Sequence, residues 1–285
     1  MSGDDVADAK VWIGAGTAGR LVAAGEAHVA YDDHGVTVGD GVFETIKLDG
    51  EPFALWRHLV RLRSSAATMR IPYPGDDTVN DAIDAVVRSL APTARQGFLR
   101  VTLTAGPGPL GSNRTTMTPT LVVALRSGNV RTDPTDVWIA PWTRNERGAL
   151  VGVKSTSYGE NVLALAHAAE AGASEALFAN TRGELCEGTG SNVFVVLDDR
   201  LVTPPITAGC LAGITRALLL EAGSGTEATV PMHRLDEVTE AFLVSTAREV
   251  QPIVRLGGRV LSRCPGPHTI TATESWARIA SHSDP

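Results

Sequence analysis

The 285-residue sequence is poor in cysteine, in lysine and in long apolar runs, and each shortage excludes a class of protein. Its three cysteines, Cys186, Cys210 and Cys264, are odd in number and contain no Cys-x-x-Cys, so no disulfide framework follows and a reducing cytoplasm fits best. No window approaches 18 consecutive apolar residues, which leaves no candidate membrane span. Met1 to Lys10 is polar and acidic and reads as carrying no targeting leader. Basic residues number 25 against 32 acidic ones, a formal charge of −7 without any basic cluster, which argues against nucleic acid and anionic lipid as partners. The seven histidines form no His-x-x-x-His pair, so no metal site is expected. A Gly-x-Ser-x-Gly elbow and a P-loop are also missing, which removes common hydrolase and NTPase readings.

What is present is an ordinary globular composition, 43% hydrophobic and 20% charged, at a length that suits two domains and a cleft. Val42 to Leu48 reads as a strand, Asp49-Gly50 as a hairpin turn, and Leu55 to Met69 as an amphipathic helix ending before Pro72. A second helix is expected over Asp77 to Leu90, and strands over Phe98 to Thr104 and Thr120 to Leu125. The polar stretch Ser127 to Pro134 serves as the linker. This divides the chain into a smaller N-terminal α/β domain over 1–126, a linker over about 127–133 and a larger C-terminal domain over 134–285. Beyond the linker, strands are expected near Val137 to Ala140, Ala176 to Ala179, Val193 to Leu197 and Ala241 to Ser245. Helices are expected around Glu160 to Ala171, Ile214 to Glu221 and His268 to Ile279. That mixture indicates an α+β fold without doubly wound alternation.

One motif misleads. Gly14-Ala15-Gly16-Thr17-Ala18-Gly19 follows Val11-Trp12-Ile13 and matches the dinucleotide fingerprint in letters, with Asp40 about 20 positions on. A working fingerprint needs a helix starting at the third glycine to hold a pyrophosphate, but Gly25 interrupts the stretch that follows. The simpler reading is a glycine-rich hairpin.

Only three of the 25 basic residues are lysines, Lys10, Lys47 and Lys154. Lys154 ends the apolar run Val151-Gly152-Val153; it could be a solvated strand end or a Schiff-base lysine held in an apolar cleft. Five further segments, in order, decide between these. They are Gly39-Asp40-Gly41-Val42-Phe43-Glu44-Thr45, His58-Leu59-Val60-Arg61-Leu62, Glu187 to Phe194, Leu211-Ala212-Gly213-Ile214-Thr215-Arg216, and Ser245 to Ile253. Together with Lys154 they resemble the fold-type IV pyridoxal-phosphate (PLP) enzymes, the class IV aminotransferase group. The resemblance implies a two-lobed, D-amino-acid aminotransferase-like fold of class α+β, each lobe a mixed sheet or barrel with flanking helices. It also implies a PLP-binding C-terminal domain and a homodimer.

The resemblance further implies that Lys154 carries the cofactor and serves as acid and base at the substrate carbon. Glu187 would pair with the pyridine nitrogen. Arg61 would hold the cofactor phosphate, together with the N–H groups of Ile214 and Thr215 at a helix start and the hydroxyl of Thr246. Tyr158 would reach the ring oxygen, and Ser191 and Asn192 would line the site or fix its turn. Glu44, Arg100, Arg144 and Arg248 are candidates for contact with a small anionic substrate.

Subgroup features point to a finer reading. Lys154 and Asn161 lie seven apart, as in the lyase and D-amino-acid groups, and Ala105 to Gly111 replaces the Arg-x-His pair with which D-amino-acid enzymes trap a carboxylate. The sequence is therefore read as a 4-amino-4-deoxychorismate lyase yielding 4-aminobenzoate and pyruvate, a step in folate biosynthesis. The alternative is a D-amino-acid or branched-chain aminotransferase using 2-oxoglutarate. A PLP-free binding protein on the same fold would not need Lys154 and Glu187.

Overall fold

In the computed structural model, which describes residues 10–115, 117–282 and 285, the fingerprint-like glycines lie in a hairpin. Residues 1–9, where a leader is not expected, lie outside the described residues. Strand β1 (Lys10–Ala15) turns at Gly16, whose φ is +60°, into the antiparallel β2 (Ala18–Ala23). Gly14 pairs with Gly19. A Cβ on either would meet the Trp12 ring, at 2.7 and 2.2 Å. These glycines thus make room for an indole, and no helix follows them to hold a pyrophosphate.

The chain separates into two units, one comprising the described residues up to Asn129 together with Val153–Tyr158, the other Val130–Gly152 with residues from Gly159 onward. Lys154 therefore belongs to the first unit, although chain order put it in the C-terminal domain. The remaining elements of the first unit are α1 (His34–Thr37), β3 (Gly41–Asp49), β4 (Glu51–Pro52), α2 (Leu55–Thr68), α3 (Asp76–Arg88), β5 (Gln96–Thr104) and β6 (Thr120–Arg126). Its sheet runs β2-β1-β6-β5-β3-β4, antiparallel throughout. Leu99, Val101 and Leu103 alternate onto one face of β5, where Leu62 of α2 and Val79 and Ile83 of α3 join them in one core. Each such fully buried aliphatic side chain contributes about 1.5–3 kcal/mol. α3 opens with Asp76 and Asp77, charges that suit a helix N-terminus.

The second unit contains β7 (Thr135–Arg144), α4 (Gly159–Glu170), β8 (Glu175–Asn180), β9 (Leu185–Gly188), β10 (Asn192–Leu197), β11 (Arg200–Thr203), α5 (Ile214–Glu221), β12 (Thr226–Glu227), β13 (Glu240–Ser245), β14 (Glu249–Leu256), β15 (Arg259–Val260) and α6 (Pro267–Ala280). Its mixed sheet has the order β12-β11-β10-β13-β14-β7-β8-β9, with β15 on β14, and β7 runs parallel to both neighbours. Strand β10 is buried along its whole length: Val193, Val195 and Leu197 enter one core, while Phe194 stacks on Phe242 with ring centroids 5.0 Å apart. α4 packs on β7 and β8, and α5 and α6 on β13. Among the described residues no helix is long and apolar enough to cross a membrane.

Candidate active site

In the first unit, consecutive residues of β3 send Phe43 and Glu44 to opposite sides of the strand. Glu44 is fully buried, and α2 brings His58 and Arg61 to it from positions three apart. Arg61 Nε donates to Oε1 at 2.7 Å, while Arg61 Nη2 and His58 Nδ1 donate to Oε2, each at 2.7 Å. Burial alone would raise the Glu44 carboxyl, but the charge and hydrogen bonds of Arg61, with those of His58, hold it far below the usual carboxylate range. Burial lowers His58 despite the attraction of Glu44, and the charges of Arg61 and Lys154 lower it further. An ionised carboxylate only accepts, so neutral His58 carries its proton on Nδ1. Glu44 was expected near the substrate; with both oxygens occupied and no exposed surface, it is instead the counter-ion of Arg61.

The segment from Lys154 to Tyr158 is stitched to the start of β3. The Phe43 N–H donates to the Lys154 carbonyl at 2.9 Å, the Thr156 N–H to that of Gly41 at 2.8 Å, and the hydroxyls of Thr156 and Ser157 both donate to that of Gly39. This carries Lys154 Nζ to 4.4 Å from the centre of the Phe43 ring. The Arg100 guanidinium lies 3.2 Å from the same ring centre, and the Tyr158 ring meets it edge-on at 5.1 Å. Lys154, Tyr158 and Arg100 thus converge on one aromatic side chain.

In the second unit Glu187 stands on β9, where its Oε2 accepts the Leu211 N–H at 2.8 Å. Arg144 Nε lies 3.7 Å from Glu187 Oε1; Arg144 Nη2 donates to Asn161, and its guanidinium packs on Phe178. Arg144 is therefore the cation beside Glu187 rather than a side chain left for a substrate. Asn192 Nδ2 donates to the Leu211 carbonyl at 3.0 Å, so Glu187 and Asn192 grip the same residue by its two backbone groups. A Cβ on Gly213 would fall 2.0 Å from Asn192 Oδ1, which makes glycine necessary there. Gly213 is the N-cap of α5 and brings no side chain to cap the first turn, which Ile214 and Thr215 begin. Thr246 lies in the turn joining β13 to β14.

Ser191 donates to the buried Glu175, so it fixes its turn. Arg248 was also expected to face substrate. It is only 7% exposed, donates to Ser174 and Gln251, and lies 3.4 Å from the Glu175 carboxylate instead. Cys186 and Cys210 are buried, and burial pushes both thiols up, Cys210 to about 12, which disfavours the thiolate. Residue spacing singled out neither Glu175 nor the role of His58. The signal for Glu175 was a lone carboxylate opening a strand, facing the hydroxyls of Thr189 and Ser191.

The family model for class IV amino-transferases matches residues 41–256. The branched-chain-amino-acid aminotransferase of Pseudomonas aeruginosa is 31% identical over 261 residues, 85% of this chain and 84% of that protein. A bifunctional aminodeoxychorismate lyase/D-amino acid transaminase of Mycobacterium tuberculosis is 30% identical over 272 residues, 87% and 92% of the two chains. The PLP-bound branched-chain amino acid aminotransferase of Thermobaculum terrenum superposes with a TM-score of 0.83 at 27% identity, covering 95% of this chain and 93% of its own. The chain belongs to the class IV aminotransferase family, and its cofactor is pyridoxal 5′-phosphate.

Proposed function

We propose that the protein transfers the amino group of an α-amino acid to a 2-oxo acid. The observation that carries this reading is the Phe43 ring with the Lys154 amine and the Arg100 guanidinium both against it. One group can work at the substrate carbon that bears nitrogen, and the other can receive a carboxylate. No arginine or histidine stands in Ala105–Gly111, and Arg114, further along that loop, is held by Asp40. Arg100, which lies against Phe43 beside the Lys154 amine, is the cation we assign to the substrate carboxylate.

The residues present fit the cofactor by their chemistry. Lys154 supplies the amine, and Glu187, with one oxygen held by the Leu211 N–H, supplies an acceptor for a protonated ring nitrogen. The glycine-capped start of α5 offers N–H groups to a phosphate, joined by the hydroxyls of Thr215 and Thr246. When bound, PLP supplies an electron sink for the substrate carbon. Lys154 Nζ would take the proton from that carbon in the amino-donor half-reaction and would give a proton to the corresponding carbon of the 2-oxo acid in the acceptor half-reaction. Arg61 would lend charge to the phosphate, its guanidinium plane fixed by Glu44, which His58 holds in turn. Tyr158 packs edge-on against the Phe43 ring that the Lys154 amine also meets.

Lyase activity toward 4-amino-4-deoxychorismate is a second reading, favoured by the 30% identity to the bifunctional mycobacterial relative. A paired assay separates them. Leucine or D-alanine with 2-oxoglutarate is expected to yield glutamate; pyruvate from aminodeoxychorismate without any glutamate would overturn the proposal in favour of the lyase.

A further inference from the structure

The densest buried polar cluster among residues not given a role at the cofactor surrounds Glu175, 1% exposed, at the start of β8. Oε1 accepts the N–H groups of Ala176 at 3.1 Å and Thr189 at 3.0 Å, and the Thr189 hydroxyl. Oε2 accepts the Ser191 hydroxyl at 2.8 Å and lies 3.4 Å from Arg248 Nη2. Packing there is close enough that a Cβ on Gly188 would sit 2.5 Å from Ser191 Oγ and 3.1 Å from Glu175 Cδ. Arg248 continues the cluster to the Ser174 carbonyl at 2.8 Å and to Gln251, which donates to the Asp133 carbonyl. The Arg131 N–H donates to the Ala247 carbonyl, so the β13–β14 turn is held from the linker side as well.

The backbone that this cluster fixes carries several of the residues assigned to the cofactor. The Thr189–Ser191 turn joins Glu187 to Asn192, which together grip Leu211 just before α5. The turn that contributes Arg248 also carries Thr246. We propose that Glu175 and Arg248 are positioning residues for PLP: their buried pair holds the Glu187–Asn192 turn and the Thr246 turn in one register before the cofactor arrives. Binding then costs less ordering of these turns. The inference rests on the assignment of Glu187, Thr246 and α5 to PLP made above.

Glu240 provides a matched control. It too is fully buried in the second unit and accepts the Thr269 hydroxyl at 2.6 Å, but it caps α6, which carries no cofactor residue. The test is the PLP dissociation constant of the holoenzyme by equilibrium dialysis, measured beside the thermal midpoint, for wild type, Glu175→Gln, Thr189→Val and Glu240→Gln. Glu175→Gln is expected to bind PLP roughly 10- to 100-fold more weakly, the range for hydrogen bonds to a charged group. Thr189→Val, which removes one donor, is expected to weaken it several-fold. Glu240→Gln should lower the midpoint and leave the dissociation constant unchanged. PLP affinity unchanged in Thr189→Val, or weakened as much by Glu240→Gln, would overturn the proposal, and this decision stands even if Glu175→Gln does not fold. Loss of PLP from the wild type itself would instead strike the cofactor assignment, and the inference with it.

Discussion

Glu44 in the first unit and Glu175 in the second are both almost wholly buried carboxylates in reach of an arginine, but their donors differ in kind. Glu44 is met by a two-bond arginine and a histidine, whereas Glu175 is met by backbone N–H groups and hydroxyls of a neighbouring turn, with its arginine at 3.4 Å. An ionic cluster of the first sort fails badly when one member is lost, because the remaining charges stay buried without compensation. A carboxylate of the second sort shapes the loops that donate to it. Substitutions at Glu44 should therefore register in stability and its pH dependence, beyond any effect passed on through Arg61, whereas substitutions at Glu175 should register chiefly in cofactor affinity.

The largest expected effect sets the chemistry of the two units against each other. Lys154→Ala removes the amine and should lower transamination by more than about 10⁴-fold, while Glu187→Gln leaves the amine in place and should lower kcat on the order of 10²–10³-fold. Steady-state rates with leucine or D-alanine measure both. Equal losses would mean that the two side chains act as one unit, and the division of labour drawn here would fall.

Next comes Glu44→Gln, expected to cost about 3–5 kcal/mol of stability at pH 7. The Glu44 pKa is depressed in the fold, so its contribution is fully present above the unfolded value of about 4.3 and is lost as pH falls toward the folded one. The wild-type advantage over Glu44→Gln should therefore hold from pH 7 to about 5 and then shrink by about 1.4 kcal/mol per pH unit below about 4. Urea unfolding across that range is the measurement. An advantage independent of pH down to 2.5 would show that the carboxylate is not ionised against Arg61.

Much of this architecture was legible. α5 begins and ends where its apolar spacing puts it, and the Asp49-Gly50 turn lies between β3 and β4. Strand β14 is absent from the strands read in the sequence, and it contains Pro252, which has no N–H to give a ladder. The structure accommodates it: pairing of β14 with β7 starts only at Ile253, so the missing N–H of Pro252 leaves no gap in that ladder. The motif residues stand out as a set in the sequence because their order along the chain is distinctive, whereas the partners of each arginine depend on packing. Arg61, Arg144 and Arg248 look alike in sequence; burial and the carboxylate beside each decide their work. Lys154 shows a further limit, since the short segment that carries it crosses back to the first unit by hydrogen bonds to Gly39, Gly41 and Phe43 that no periodicity announces.

The smallest expected effect isolates the histidine that only the first-unit cluster possesses. His58 is lowered in the fold, so between its unfolded pKa of about 6.5 and its folded value the unfolded chain binds more protons, and stability falls as pH drops below about 6.5. The slope from this one group is at most about 1.4 kcal/mol per pH unit. In His58→Asn the amide can keep donating to Glu44 while nothing titrates, so the variant should lose less stability than wild type between pH 6.5 and 5.5. Glu175→Gln should keep the His58-dependent slope there, since it leaves His58 and its partners Glu44 and Arg61 untouched. Calorimetric midpoints at matched buffer composition make the comparison. A slope unchanged in His58→Asn, or abolished in Glu175→Gln, would place the proton-linked element outside the Glu44 cluster and remove the physical distinction between the two buried carboxylates.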